Sequence, residues 1–99
     1  MLCLSESTKA YLCLEPTDMR RSFDKLSVMA SEYVGKDPTS GHMFLFRNRA
    51  ANRLKILYWD GGSFCLWYKR LDRGSFNIQP GLGNDFEMTP EMFYNLIQQ

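Results

Sequence analysis

The hydrophobic positions of this 99-residue chain fall into short runs separated by polar stretches rich in Gly, Pro, Asn and Asp. Residues 9–14, Lys-Ala-Tyr-Leu-Cys-Leu, are apolar and end at Glu15-Pro16, which predicts a first strand. Apolar residues then recur every three or four positions at Met19, Phe23, Leu26, Ala30, Tyr33 and Val34. That spacing predicts one amphipathic helix over residues 18–34, with Thr17 as its N-cap and Gly35 as the left-handed residue that stops it. After a loop at Lys36–Gly41, three strand-like runs follow: Met43 to Arg47, Arg53 to Asp60, and Phe64 to Leu71. Asn48–Asn52 reads as the first hairpin connection, and Asp60-Gly61-Gly62-Ser63 as a tight second one. Pro80–Asp85 reads as another loop. Thr89-Pro90-Glu91 opens a short terminal helix, with Thr89 as N-cap and Pro90 in the first helical position.

The expected fold is α+β: an antiparallel β meander packed with one longer helix and a short C-terminal helix, in a single domain over residues 1–99. An apolar fraction of 44% with 14% aromatics is sufficient to form one core, and no internal repeat or linker breaks the chain. Phe44, Phe46 and one of the two tryptophans are expected in it.

Composition narrows the chemistry. The start of the chain lacks the basic, apolar and small-residue pattern of a signal peptide, and no apolar run is long enough for a membrane span, so a cytoplasmic location is expected. Cys3, Cys13 and Cys65 form an odd set without CxxC spacing. With a single histidine they predict free thiols, and neither a metal nor a cofactor is expected. His42 has no catalytic partner nearby and reads as a structural hydrogen-bonding residue. Asp18, Asp24, Asp60 and Asp72 are too scattered for two-metal chemistry, and Gly81-x-Gly83 lacks the lysine of a phosphate loop. A non-catalytic protein is expected.

The net charge of +1 conceals an uneven distribution. Residues 1–41 carry −1, residues 42–76 carry +5 and residues 77–99 carry −3. The basic centre holds Arg47, Arg49, Arg53, Lys55, Lys69, Arg70 and Arg73. If the first hairpin pairs Arg47 with Lys55, then Arg47, Arg49, Arg53 and Lys55 share one face at its tip, in line with Met43, Leu45, Leu57 and Trp59; Phe44, Phe46, Ile56 and Tyr58 take the other face. Four crowded cations repel one another unless an anion neutralises them, and a phosphate backbone does so. Charged hairpin ends also serve to keep strands soluble, so spacing alone divides the two readings evenly. Arg20 and Arg21 lie off the apolar stripe of the helix and read as a solvated face.

Four ordered blocks carry a family resemblance. They are Pro16-Thr17-Asp18-Met19-Arg20-Arg21-Ser22-Phe23-Asp24-Lys25-Leu26, Asp37-Pro38-Thr39-Ser40-Gly41-His42-Met43-Phe44-Leu45-Phe46, Lys55-Ile56-Leu57-Tyr58-Trp59-Asp60-Gly61, and Leu66-Trp67-Tyr68-Lys69-Arg70-Leu71. Together they resemble the TnpB accessory proteins, the second-reading-frame products of IS66-class insertion sequences, which are distinct from the RNA-guided nuclease of the same name. The resemblance implies a helper in transposition, with the DNA of the element's ends and a separate, larger transposase as partners. The family commonly carries a denser Arg/Asp run at the first hairpin than the Asn48-Arg49-Ala50-Ala51-Asn52-Arg53 found here. Two functions follow as alternatives: DNA binding through the basic hairpin, or a protein-interaction module that docks on the transposase or another accessory protein.

Overall fold

The strand runs Ala10–Cys13 and Met43–Phe46 are apolar at every position, which is only stable if both faces of their sheet are covered. The computed structural model, which describes residues 2–78 and 87–99, shows that arrangement. The chain runs β1 (Ala10–Cys13), α1 (Phe23–Met29) continuing into a wider helical turn at Ala30–Val34, β2 (Met43–Arg47), β3 (Arg53–Trp59), β4 (Phe64–Arg70), β5 (Glu87–Met88) and α2 (Pro90–Ile97). The strands form one sheet in the order β4-β3-β2-β1-β5. The α+β class stands, and the meander comprises β2, β3 and β4. β1 departs from it by pairing parallel to β2, with Ala10 opposite Met43 and Cys13 opposite Phe46. The physical reason is the helical crossover between them: a connection of that length returns the chain to the starting end of the sheet, as parallel pairing requires.

Alternation then sorts the side chains. Tyr11, Cys13, Phe44, Phe46 and Leu57 face the first helical segment and bury Leu26, Met29, Ala30 and Val34. Ala10, Leu12, Met43, Leu45, Leu54 and Ile56 face the other way and pack with Phe76, Phe93 and Leu96, the last two from α2. Phe44 and Phe46 are fully buried, whereas both tryptophans are only partly so.

The first helix begins five residues later than its apolar spacing predicts. Asp18 forms a side-chain turn by accepting the Arg20 N–H at 2.9 Å, and the Arg21 N–H bonds the Asp18 carbonyl at 3.1 Å. This local alternative competes with helix. Ser22 takes the N-cap position without a side-chain hydrogen bond. Thr17 is no cap at all: it is buried, and its N–H donates to the Arg47 carbonyl at 2.9 Å. Phe23 and Tyr33 of the expected stripe are 42% and 51% exposed, and Met29 is buried in their place. Gly35 terminates the segment at φ +76°, as expected. Thr89 caps α2 by accepting the Met92 N–H at 3.1 Å, with Pro90 next to it. The loop expected over Pro80–Asp85 lies outside the described residues, and β5, a two-residue strand on β1, carried no sequence signal.

The three cysteines are free thiols, with Cys13 buried and its pKa raised by desolvation. His42 is a hydrogen-bonding residue, accepting the Lys9 N–H on Nδ1 at 3.0 Å, and its ring meets Tyr11 edge-on. Among the described residues no helix is long and apolar enough to cross a membrane.

Candidate nucleic-acid interface

The β2–β3 hairpin is one residue out of the register that would unite its cations. Phe46, not Arg47, stands opposite Lys55, and Arg47 stands opposite Leu54. A one-residue slip reverses faces, so Arg47 and Lys55 project on opposite sides of the sheet. The turn accounts for the register. Asn48 Oδ1 accepts from both the Asn52 and Arg53 backbone N–H groups, at 3.0 and 2.9 Å, and its own N–H reaches the Arg53 carbonyl. Ala51 sits at φ +58° to close the loop.

Three of the seven basic residues are held by carbonyl groups inside the fold. Lys55 is only 6% exposed, and its Nζ donates to the Met19 and Arg21 carbonyls at 2.6 and 2.8 Å while lying 4.9 Å from the centre of the Tyr68 ring. Arg47 donates through Nη1 to the Phe76 carbonyl at 2.9 Å. Lys69 donates to the carbonyl of Ile97, the last residue of α2, at 2.9 Å. That places a cation at a helix C-terminus, where unpaired carbonyls carry partial negative charge.

Of the four remaining cations, Arg49 and Arg53 line a cleft of about 630 Å³ on the α1 side of the hairpin tip. One wall is the segment after β1, from Pro16 to Met19, with Arg21; the other is the β2–β3 loop, with Arg49 and Arg53. Two links fix the walls to each other: the Thr17–Arg47 backbone bond and the paired bonds from Lys55 to the carbonyls of Met19 and Arg21. Arg53 also borders a neighbouring hollow with Tyr68 and Arg70. Arg53 and Arg70 are direct cross-strand neighbours, and Arg53 Nη1 donates to the Tyr68 hydroxyl at 3.3 Å. Tyr68 is 48% exposed. Arg73 is exposed in the bend after β4 and borders neither cavity.

Charge balance at the cleft is lopsided. Its one carboxylate among the described residues, Asp18, is engaged by Arg20 at 2.6 Å. The Arg20 guanidinium and backbone N–H hold the Asp18 carboxyl down at a pKa of about 2. Among the described residues the ion pairs are Arg20–Asp18 and Lys9–Glu87, so Arg21, Arg49, Arg53 and Arg70 form none, and Arg21 acts on Asp18 only through the weaker, longer-range attraction of its charge. The arrangement is a cluster of arginines with the Tyr68 ring beside it. Arg21 and Tyr68 join it only through the fold. The sequence signals were the Met19-Arg20-Arg21 block for the first and the aromatic–cation run Trp67-Tyr68-Lys69-Arg70 for the second.

With this geometry in view, comparison with known proteins is decisive at the level of family. Residues 8–98 match the family described as IS66 Orf2 like protein. The chain belongs to that family. Two proteins of Sinorhizobium fredii, both named as uncharacterized, are similar along nearly the whole chain. The protein y4hO is 32% identical over 97 residues, covering 98% of this chain and 84% of the relative. The protein y4jC is 31% identical over 97 residues, covering 98% and 83%. No solved structure matches. This family member is thus an IS66-associated accessory protein, and no catalytic family is indicated.

Proposed function

We propose that this accessory protein acts without catalysis by gripping the DNA backbone in the arginine-rimmed cleft, while a separate transposase supplies the cutting chemistry. The observation that carries the reading is the set of four arginines, Arg21, Arg49, Arg53 and Arg70, that line two adjoining hollows and form no ion pair among the described residues; the Arg21 guanidinium also donates to Met29 Sδ at 3.2 Å. Guanidinium groups suit phosphate because their planar donors can bond two oxygens at once. Of the residues singled out from sequence, Arg49, Arg53 and Arg70 make the contacts and Arg73 extends the patch, while Arg47, Lys55 and Lys69 hold the scaffold.

The test is binding of the purified protein to labelled element-end DNA and to scrambled DNA over a salt series. Four neutralised phosphates give log affinity against log salt a slope near −3.6 on duplex DNA. Replacing Arg21, Arg49, Arg53 and Arg70 with alanine is expected to abolish that binding without unfolding the protein. A folded quadruple variant with the parent's affinity and slope would overturn the assignment to the cleft. Salt-independent affinity would overturn backbone binding altogether.

A further inference from the structure

β4 is a seven-residue edge strand, hydrogen-bonded to β3 on one side and, among the described residues, to no strand on the other. Natural sheets protect such edges with proline, a bulge, inward charge or a covering segment. β4 has no proline, and its pairing with β3 runs unbroken from Arg53↔Arg70 to Trp59↔Phe64. Its charges lie only at the C-terminal end, and one of them, Lys69, is occupied by the Ile97 carbonyl. Phe64, Cys65, Leu66 and Trp67 are apolar yet only half-buried, unlike the fully buried runs of β1 and β2.

The direction of each backbone group can be read from the two ends of the ladder. Asp60 N–H bonds the Ser63 carbonyl and Leu71 N–H bonds the Asn52 carbonyl. In an antiparallel pair hydrogen-bonded positions alternate, so Cys65, Trp67 and Lys69 turn their backbone groups toward β3. Phe64, Leu66, Tyr68 and Arg70 turn theirs outward. An added antiparallel strand must set outward groups against outward groups. A second β4, centred on Trp67, does so at every step: Phe64 meets Arg70 of the other copy, and Leu66 meets Tyr68.

Charge favours the same occupant. Asp60 precedes β4, whereas Arg70 and Arg73 against Asp72 leave a net positive charge at and beyond its far end. Antiparallel self-pairing brings opposite signs together at both ends of the seam; parallel pairing would set like against like. We infer that this protein forms a two-fold dimer through antiparallel pairing of β4 with β4 of a second copy, continuing the sheet across the interface. The two-fold axis is then perpendicular to the sheet. Both copies turn the face bearing Arg53, Tyr68 and Arg70 the same way, with the two hollows in opposite orientation. This inference does not depend on the DNA-binding proposal, since it rests on backbone groups and on charges at the strand ends.

The seam makes a position-specific prediction. Trp67 opposes itself as a non-hydrogen-bonded pair, for which the Cα–Cα distance is about 4.5 Å, within the range a disulfide spans. In a Cys3→Ser, Cys65→Ser background, Trp67→Cys is expected to yield a disulfide-linked dimer under mild oxidation of dilute protein. Sedimentation of the parent chain should show a reversible dimer. Leu66→Pro, which removes an outward N–H and no bond to β3, should weaken it about tenfold or more, with circular dichroism confirming the fold. A parent chain that stays monomeric with no Trp67→Cys cross-link overturns the inference. So does a dimer that ignores Leu66→Pro and fails to cross-link, because its seam lies elsewhere, and so does a monomer that captures only a strand from another protein.

Discussion

Arg53 and Arg70 stand directly opposite each other across β3 and β4, both on the face that carries α1. Like charges in that relation destabilise a sheet, and neither arginine has a carboxylate partner among the described residues. The pair is a local cost that a bound anion would relieve. Arg70→Glu is therefore expected to stabilise the free protein by about 0.2–1 kcal/mol while sharply weakening DNA binding. Urea denaturation beside the salt-series binding measurement checks both; a variant that is less stable and binds as well contradicts the assignment.

Lys55 joins the hairpin to the segment before α1. Lys55→Met keeps much of the aliphatic stem but leaves the Met19 and Arg21 carbonyls without their donor. The expected loss is about 1–3 kcal/mol. Hydrogen exchange at residues 17–22 should accelerate more than exchange in β2, because the severed links are local.

Arg47 and Lys69 separate scaffold from binding surface. Each donates a charged hydrogen bond to a distant carbonyl, Phe76 for one and Ile97 for the other. Alanine at either position should lower stability by about 1–2 kcal/mol and leave the salt slope of DNA binding unchanged. A slope reduced by about 0.9 for either variant would instead place that residue on a phosphate.

The Asp18 turn has a defined acid limit. Arg20 lowers the Asp18 pKa in the folded state to about 2, from an ordinary carboxylate value near 3.9. A depressed folded pKa means that the stabilisation is complete above the unfolded value and is lost as pH falls through the folded one. The turn should therefore hold at neutral pH, weaken below about pH 4 and be fully protonated only below about pH 2. Carboxyl NMR titration of Asp18 measures this directly, and Arg20→Ala should return the midpoint toward the ordinary value.

Ala51 is the one non-glycine residue at positive φ among those described. A side chain there costs about 1–2 kcal/mol, partly offset by the greater unfolded-state freedom of glycine. Ala51→Gly should raise stability by about 0.5 kcal/mol, and a lower thermal midpoint would refute the strain.

Much of this fold is legible in the sequence because it rests on local rules. The first four strands begin and end within a residue or so of their apolar runs, since Gly, Pro and Asn punctuate them. Thr89-Pro90 and Gly35 mark helix ends through their own backbone chemistry. The helix starts later than its apolar spacing predicts because the Asp18 side chain offers the backbone a competing turn. The clustering of cations in residues 42–76 is likewise a property of the sequence alone. Which of those cations can reach a ligand was decided by tertiary structure. Met43–Phe46 and Leu54–Leu57, interrupted only by Lys55, are buried on both faces, so their pattern carries no alternation from which register could be read. The hydrogen bonds of Asn48 fix the turn, and with it the pairing of Phe46 with Lys55. That single step turns Lys55 inward beneath the Pro16–Arg21 segment and brings Arg21, distant in sequence, to the same cleft as Arg49 and Arg53.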